Sequence, residues 1–198
     1  AYVENDQAIE VSDPIGYFLP HHPVFRDSIS TPLRVVFNGS FGFEAINELL
    51  WKGNARGLDV FDHLLRFRKG KFAVTADLSK AFLQVLIHPD DQKYLKFLWK
   101  NSDNELKIYQ MKVLPFGLVS SPAILTAVTK KLLCEQDLDQ IANAIYMDDI
   151  IWASDSESIL VDTVNKVKDS FKNAGFVMHK VHSNSQILSS KFESEDCI

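Results

Sequence analysis

The sequence predicts an α+β fold, an antiparallel sheet backed by helices, on three observations. Short apolar runs recur along the chain and are bounded by Gly, Pro, Asn and Asp. Two pairs of these runs meet across short turns, YLKFLWKNSDNELKIYQMK around NSDN and QIANAIYMDDIIWAS around an aspartate pair. Two long stretches, GLVSSPAILTAVTKKLLCEQD and SESILVDTVNKVKDSFKNAG, are helical and intervene between the strands.

Each element has a local reason. Residues 1–13, AYVENDQAIEVSD, are acidic and weakly patterned, which predicts a loosely held lead-in. GYFLPHHPV and LRVVFNGS are strand material, broken by the proline-bearing loop FRDSISTP at residues 25–32. LDVFDHLLRFRKGK sets Leu58, Phe61, Leu64, Leu65 and Phe67 at helical spacing and ends in a basic turn and Gly70. KFAVTADLS reads as a buried strand ending in Asp77. In the first long helix Pro122 is tolerated near the first turn. The second opens on a Ser cap and closes at Gly175, and FVMHK is a last short strand. The core thus spans residues 14–188, with 189–198 as a tail, and there is no internal repeat.

The 198 residues suit one domain, and 46% hydrophobic with 24% charged residues is ordinary for a globular protein. No apolar run approaches membrane-spanning length, and the start lacks the form of a signal peptide. Cys134 and Cys197 are too few and too far apart for a disulfide framework or a zinc site, which fits a reducing compartment. The net charge of −5 is unevenly spread. Residues 1–25 hold four acids and no Lys or Arg, residues 26–131 sixteen basic against ten acidic, and residues 132–198 five against twelve. A basic stretch beside an acidic one would place a phosphate-binding surface next to a metal-binding one.

Asp148 and Asp149 are the chemical question. Adjacent carboxylates at an apolar margin repel and lose hydration. A lone DD between strands is commonly a solvated turn, and a lone Asp after a strand is commonly a helix cap. At a hairpin tip, however, the pair can meet Asp77 from a neighbouring strand end. Such a cluster needs divalent cations, and oxygen-only ligands suit Mg²⁺ or Mn²⁺. Two ions about 3.5–4 Å apart form the clamp of in-line nucleotidyl displacement.

The motifs YMDD, DLSKAF, LPFGLVSSP and AGFVMHK stand in the order and approximate spacing of reverse transcriptases, which the chain resembles. More narrowly, YFLPHHPV, LRVVFNGS, HLLRFRKGKFAVTADLSKAFLQVLIHPDD, LKFLW, LPFGLVSSPAIL and KVHSNSQIL resemble the Pao/BEL class of long-terminal-repeat retrotransposons. The likeness covers residues 17 to about 188.

This resemblance implies a right-hand polymerase, with fingers at about 14–76 and 86–112 and palm at about 77–85 and 113–188. Asp77 and Asp148 would hold both metals with the Leu78 carbonyl, and Asp149 would support them. Phe82 falls at the steric gate that excludes a 2′-hydroxyl. Arg34, Lys80 and Ala81 would face the triphosphate, Phe116 and Gly117 would line the nucleotide pocket, and Lys180 would give a proton to pyrophosphate. Tyr146 and Met147 would contact the primer end. The implied partners are a primed RNA or DNA template, dNTP and the rest of a Pol polyprotein, in a cytoplasmic particle, with no membrane.

The sequence departs from the family at Asn38, where an acid is usual. It runs out in SSKFESEDCI without a thumb, which predicts weak synthesis by this chain alone. Two other readings stay open: a non-catalytic remnant that binds nucleic acid or a partner, and an RNA-directed RNA polymerase palm. Primer extension separates the first from an enzyme, and ribonucleotide incorporation would favour the second.

Overall fold

The computed structural model describes residues 2–25, 27, 33–53 and 60–193. Most of the loop expected at 25–32, Leu58 of the expected helical face, Cys197 and the end of the expected tail lie outside the described residues. The chain divides into two compact units, Ala1–Lys52 with Phe82–Ser121, and Gly53–Ala81 with Pro122–Ile198.

In the first unit, β1 (Ala8–Val11) pairs antiparallel with β6 (Leu106–Met111), which pairs with β5 (Lys96–Lys100). A second pair joins β2 (His21–Phe25) to β3 (Leu33–Phe37), followed by the one-turn helix α1 (Ile46–Leu49). A 3₁₀ turn at Ala81–Gln84 (its first residue in the other unit) and the short helix α3 (Pro89–Gln92) precede β5. The NSDN hairpin forms as expected, with Asn101 Oδ1 accepting from the Asp103 and Glu105 amides.

Residues 8–11 correct the expectation of a loose lead-in. AIEV is too short to show a period, but Ala8 is buried opposite Met111 in a core with Leu19, Phe37 and Phe97. Ring contacts of His21 with Phe37, Phe97 and Trp99 extend that cluster. Long-range pairing has made a strand where local pattern is silent.

Lys96 is 1% exposed, and its ammonium donates to the carbonyls of Asp13 and Ile15 and to the Asp13 carboxylate. The Ile15 amide and then Lys96 hold the Asp13 carboxyl below its usual range. Lys96→Met leaves two carbonyls without their charged donor, an expected loss of about 1.5–3 kcal/mol measurable by denaturant unfolding. The exposed Asp13 carboxylate adds little, because water screens it.

The second unit is a four-stranded antiparallel sheet in the order β7-β8-β4-β9, built from β4 (Phe72–Ser79), β7 (Ile145–Tyr146), β8 (Asp149–Ser154) and β9 (Val177–Ser183). The helices α2 (Val60–Phe67), α4 (Ser121–Cys134, its first residue in the other unit), α5 (Asp139–Ala142), α6 (Glu157–Asn173) and α7 (Gln186–Glu193) accompany it. Along β4, Val74, Ala76 and Leu78 are buried while Thr75, Asp77 and Ser79 are not, the period of a half-covered strand. The helix α6 covers the apolar side, where Val74, Ala76, Ile150 and Trp152 meet Thr163, Val164 and Val167. Ser156 caps α6 through the Ile159 amide, and Gly175 follows its end at φ +83°.

One expectation in this unit fails. Residues 189–193 are not tail but helix, since α7 packs on β9 with Leu188 and Phe192 buried. The helix expected around residues 58–67 exists as α2, yet Phe61, Leu64 and Leu65 are exposed and His63 is buried. His63 packs edge-on to Tyr146, so a polar ring carries this contact. No helix among the described residues is long and apolar enough to cross a membrane.

Candidate active site

Asp77 lies on the uncovered side of β4 because the strand alternates and α6 claims the other side. Register then decides its neighbours. Asp77 pairs with Asp149 of β8 on one side and His179 of β9 on the other. Directly opposed residues share a face, so two carboxylates and an imidazole form a row across three strands. Asp148 enters from the hairpin turn: Tyr146 pairs with Asp149, leaving Met147 and Asp148 as a two-residue loop. Met147 sits at φ +58°, the left-handed geometry such turns require, and the Asp148 carbonyl accepts from the Leu78 amide at 2.9 Å. That bond seats the hairpin tip on β4 beside Asp77.

The partner strand is bulged. Between Thr75 and Asp77 the β4–β9 register shifts, and Lys180 takes φ +51°. A bulge re-aims side chains, and here Lys180 reaches Asp77 alongside its direct strand partner His179. Lys180 Nζ is 3.4 Å and His179 Nε2 3.5 Å from the same Asp77 oxygen. The Asp149 carboxyl is raised above its usual range by burial first, then by Asp148 and Asp77, with Lys180 pulling the other way.

The structure therefore brings Asp77, Asp148 and Asp149 to one end of the sheet. Among the described residues, however, no three His, Cys, Asp or Glu side chains are already gathered to hold an ion. Asp77 directs one oxygen at His179 and Lys180 of β9, on the opposite side from Asp149. The donors nonetheless fit a hard divalent cation, since they are carboxylate oxygens that repel one another. For Leu78 the structure shows the amide bond to Asp148 and a buried side chain.

The raised Asp149 carboxyl has a pH consequence. An acid that holds its proton more tightly in the folded state costs stability above its unfolded value of 3.8, and the cost grows as pH rises through the raised folded value. Metal-free Asp149→Asn should therefore melt no lower than the parent chain at pH 7. Its advantage should shrink as pH falls toward 3.8, which thermal unfolding in EDTA across that range checks.

The other expected residues fall in two groups. In the second unit, Lys80 is exposed at φ +49° where β4 ends, and Ala81 is buried. In the first unit, Phe82 is 8% exposed with its ring 4.7 Å from that of Phe116, and the Arg34 guanidinium lies over the Phe116 ring, 4.9 Å from its centroid. Gly117 takes φ +106°, and a Cβ there would fall 1.7 Å from the Phe37 carbonyl, so no other residue fits. Asn38 accepts from the Ser40 amide at 3.1 Å, a role that needs only an acceptor oxygen and that a carboxylate would serve as well. His179 was missed by sequence reasoning, because the pairing of β9 with β4, which sets it directly opposite Asp77, is not carried by the local pattern of FVMHK.

The chain has the fingers-and-palm fold of solved foamy viral protease-reverse transcriptase structures. One, in complex with ds DNA, superposes with a TM-score of 0.71 at 24% identity, covering 89% of this chain and 28% of that one. Another, in complex with RNA/DNA hybrid, gives 0.69 at 24% identity, covering 89% and 22%. Residues 27–185 match the family described as reverse transcriptase (RNA-dependent DNA polymerase), and the chain belongs to that family. The Pro-Pol polyprotein of Feline foamy virus is 30% identical over 116 residues, 59% of this chain and 9% of that polyprotein. The enzymatic polyprotein of Cestrum yellow leaf curling virus is 29% identical over 171 residues, 85% of this chain and 24% of its own length. The chain thus spans less than a quarter of the polyproteins it resembles.

Proposed function

We propose that this chain is the catalytic core of an RNA-directed DNA polymerase that transfers a nucleotide from dNTP to a primer 3′-hydroxyl. The observation that supports this best is the register that sets Asp149 beside Asp77, with Asp148 seated against Leu78 at the hairpin tip. Asp77, Asp148 and the Leu78 carbonyl would hold two divalent cations, Mg²⁺ or Mn²⁺, with Asp149 tuning the local charge. When bound, such ions supply Lewis-acid activation of the hydroxyl and neutralise the triphosphate.

The chain's own residues divide the remaining work. Arg34, kept over Phe116, offers a planar donor fork to phosphate. The backbone of Lys80 and Ala81 faces the triphosphate, Phe82 and Phe116 bound the sugar and base, and Gly117 lets main chain approach the nascent pair. Tyr146 and Met147 contact the primer end. Lys180, an ammonium beside Asp77, donates a proton to departing pyrophosphate.

The quoted Pao/BEL phrases support a retrotransposon Pol polyprotein as the source, acting in a cytoplasmic particle on RNA or DNA template with primer. The test is extension of a primed RNA template by the purified chain, with dNTPs or rNTPs as substrate. Divalent-dependent dNTP addition is the expected result. Preference for rNTPs would instead make this an RNA polymerase palm, and no addition by the folded chain, either alone or joined to a thumb, would make it a non-catalytic remnant.

A further inference from the structure

We propose that Asn47 is a positioning residue that straps the Phe116-bearing loop in the shape that receives the incoming nucleotide; what the loop receives rests on the polymerase reading above. Asn47 is 8% exposed, and both ends of its amide are engaged. Its Nδ2 donates to the Gly117 carbonyl at 3.1 Å and to Ser40 Oγ at 2.9 Å, and its Oδ1 accepts from the Val119 amide at 2.9 Å. A main-chain carbonyl can only accept and a main-chain N–H can only donate, so the amide has one possible orientation. Only an amide of this length meets both.

The surrounding chain is fitted to that side chain. A Cβ on Gly39 would lie 2.7 Å from the Asn47 amide, so a glycine makes room for it, and the Gly39 carbonyl accepts the Asn47 main-chain N–H at 2.9 Å. Asn38 turns the chain through the Ser40 amide, which presents Ser40 Oγ to Asn47. The same loop is tied by the Phe37 amide to the Phe116 carbonyl at 3.1 Å. Phe116, between these ties, is the ring that carries Arg34 and meets Phe82. The hydrogen bonds of Asn47 reach none of those three side chains, so it acts on them through main chain.

The experiment compares Asn47→Asp and Asn47→Ala with the parent 198-residue chain. Asn47→Asp keeps the acceptor for Val119 but turns a carboxylate toward the Gly117 carbonyl, whereas Asn47→Ala removes both bonds without adding charge. Single-nucleotide addition should show KM for dNTP raised about tenfold or more, the scale of one lost buried hydrogen bond. The rate at saturating dNTP and the affinity for template–primer should change far less. A purely structural role would lower the active fraction and leave KM alone, and that result overturns the proposal. Hydrogen exchange at the Val119 amide is the second readout, expected to quicken about tenfold or more in folded Asn47→Ala. If the parent chain adds no nucleotide, either alone or joined to a thumb, the polymerase reading fails, and exchange alone judges the strap. Unchanged exchange at Val119 refutes it in either case.

Discussion

Asp148→Asn is expected to lower nucleotide addition more than about a hundredfold while leaving the chain folded. The side chain sits in a two-residue turn and is half-exposed, so the amide fits without repacking, and the main-chain bond from Leu78 to the Asp148 carbonyl survives. What is lost is one carboxylate from the proposed set of metal ligands. Outer-shell partners of a metal already cost about 10–100-fold when removed, so a ligand should cost more than about a hundredfold in single-turnover rate. Asp77→Asn should do the same and also free Lys180 and His179 from their shared oxygen. Addition within a few-fold of the parent chain in either variant would remove these acids from the chemistry.

Phe82→Val is expected to let ribonucleotides in. Phe82 is buried with its ring on Phe116, which is compatible with both a packed floor and a wall for the sugar. A steric contact of this kind discriminates by about 10–200-fold, and the preference for dNTP over rNTP should fall by a factor in that range. Val is the better probe than Ala, because truncating a buried Phe to Ala costs about 3–5 kcal/mol and would confound the assay. The ratio of kcat/KM for the two sugars decides it. A lower melting temperature with an unchanged ratio would make Phe82 core packing only.

Residues whose role is set by local period were legible in the sequence. The apolar run before Asp77 marked β4, although the strand runs on to Ser79; YMDD marked a tight turn, although the turn is Met147–Asp148 and Asp149 stands in β8; and Ser156 and Gly175 bounded α6. What local pattern could not carry was partner choice. The strand Ala8–Val11 exists because Met111 and its neighbours, far along the chain, pair with it. His179 reaches Asp77 because β9 pairs with β4 in that register, and Lys180 joins it at a bulge, neither of which leaves a period in the sequence. Lys96 and Asn47 look like surface residues by type and are buried because main-chain carbonyls and amides meet them. The exposed apolar side of α2 shows the converse, a clear period that packing did not follow.

Whether the sheet end carrying Asp77, Asp148 and Asp149 binds divalent cations is decided by Fe²⁺-mediated hydroxyl-radical cleavage of the folded chain. Fe²⁺ in a Mg²⁺ site cuts the main chain next to its ligands. The expected fragments end near Asp77 and near Asp148, fade with excess Mg²⁺, and vanish in Asp148→Asn. Cleavage confined to other segments, or cuts near Asp77 and Asp148 that persist in Asp148→Asn, would show that these carboxylates hold no such ion.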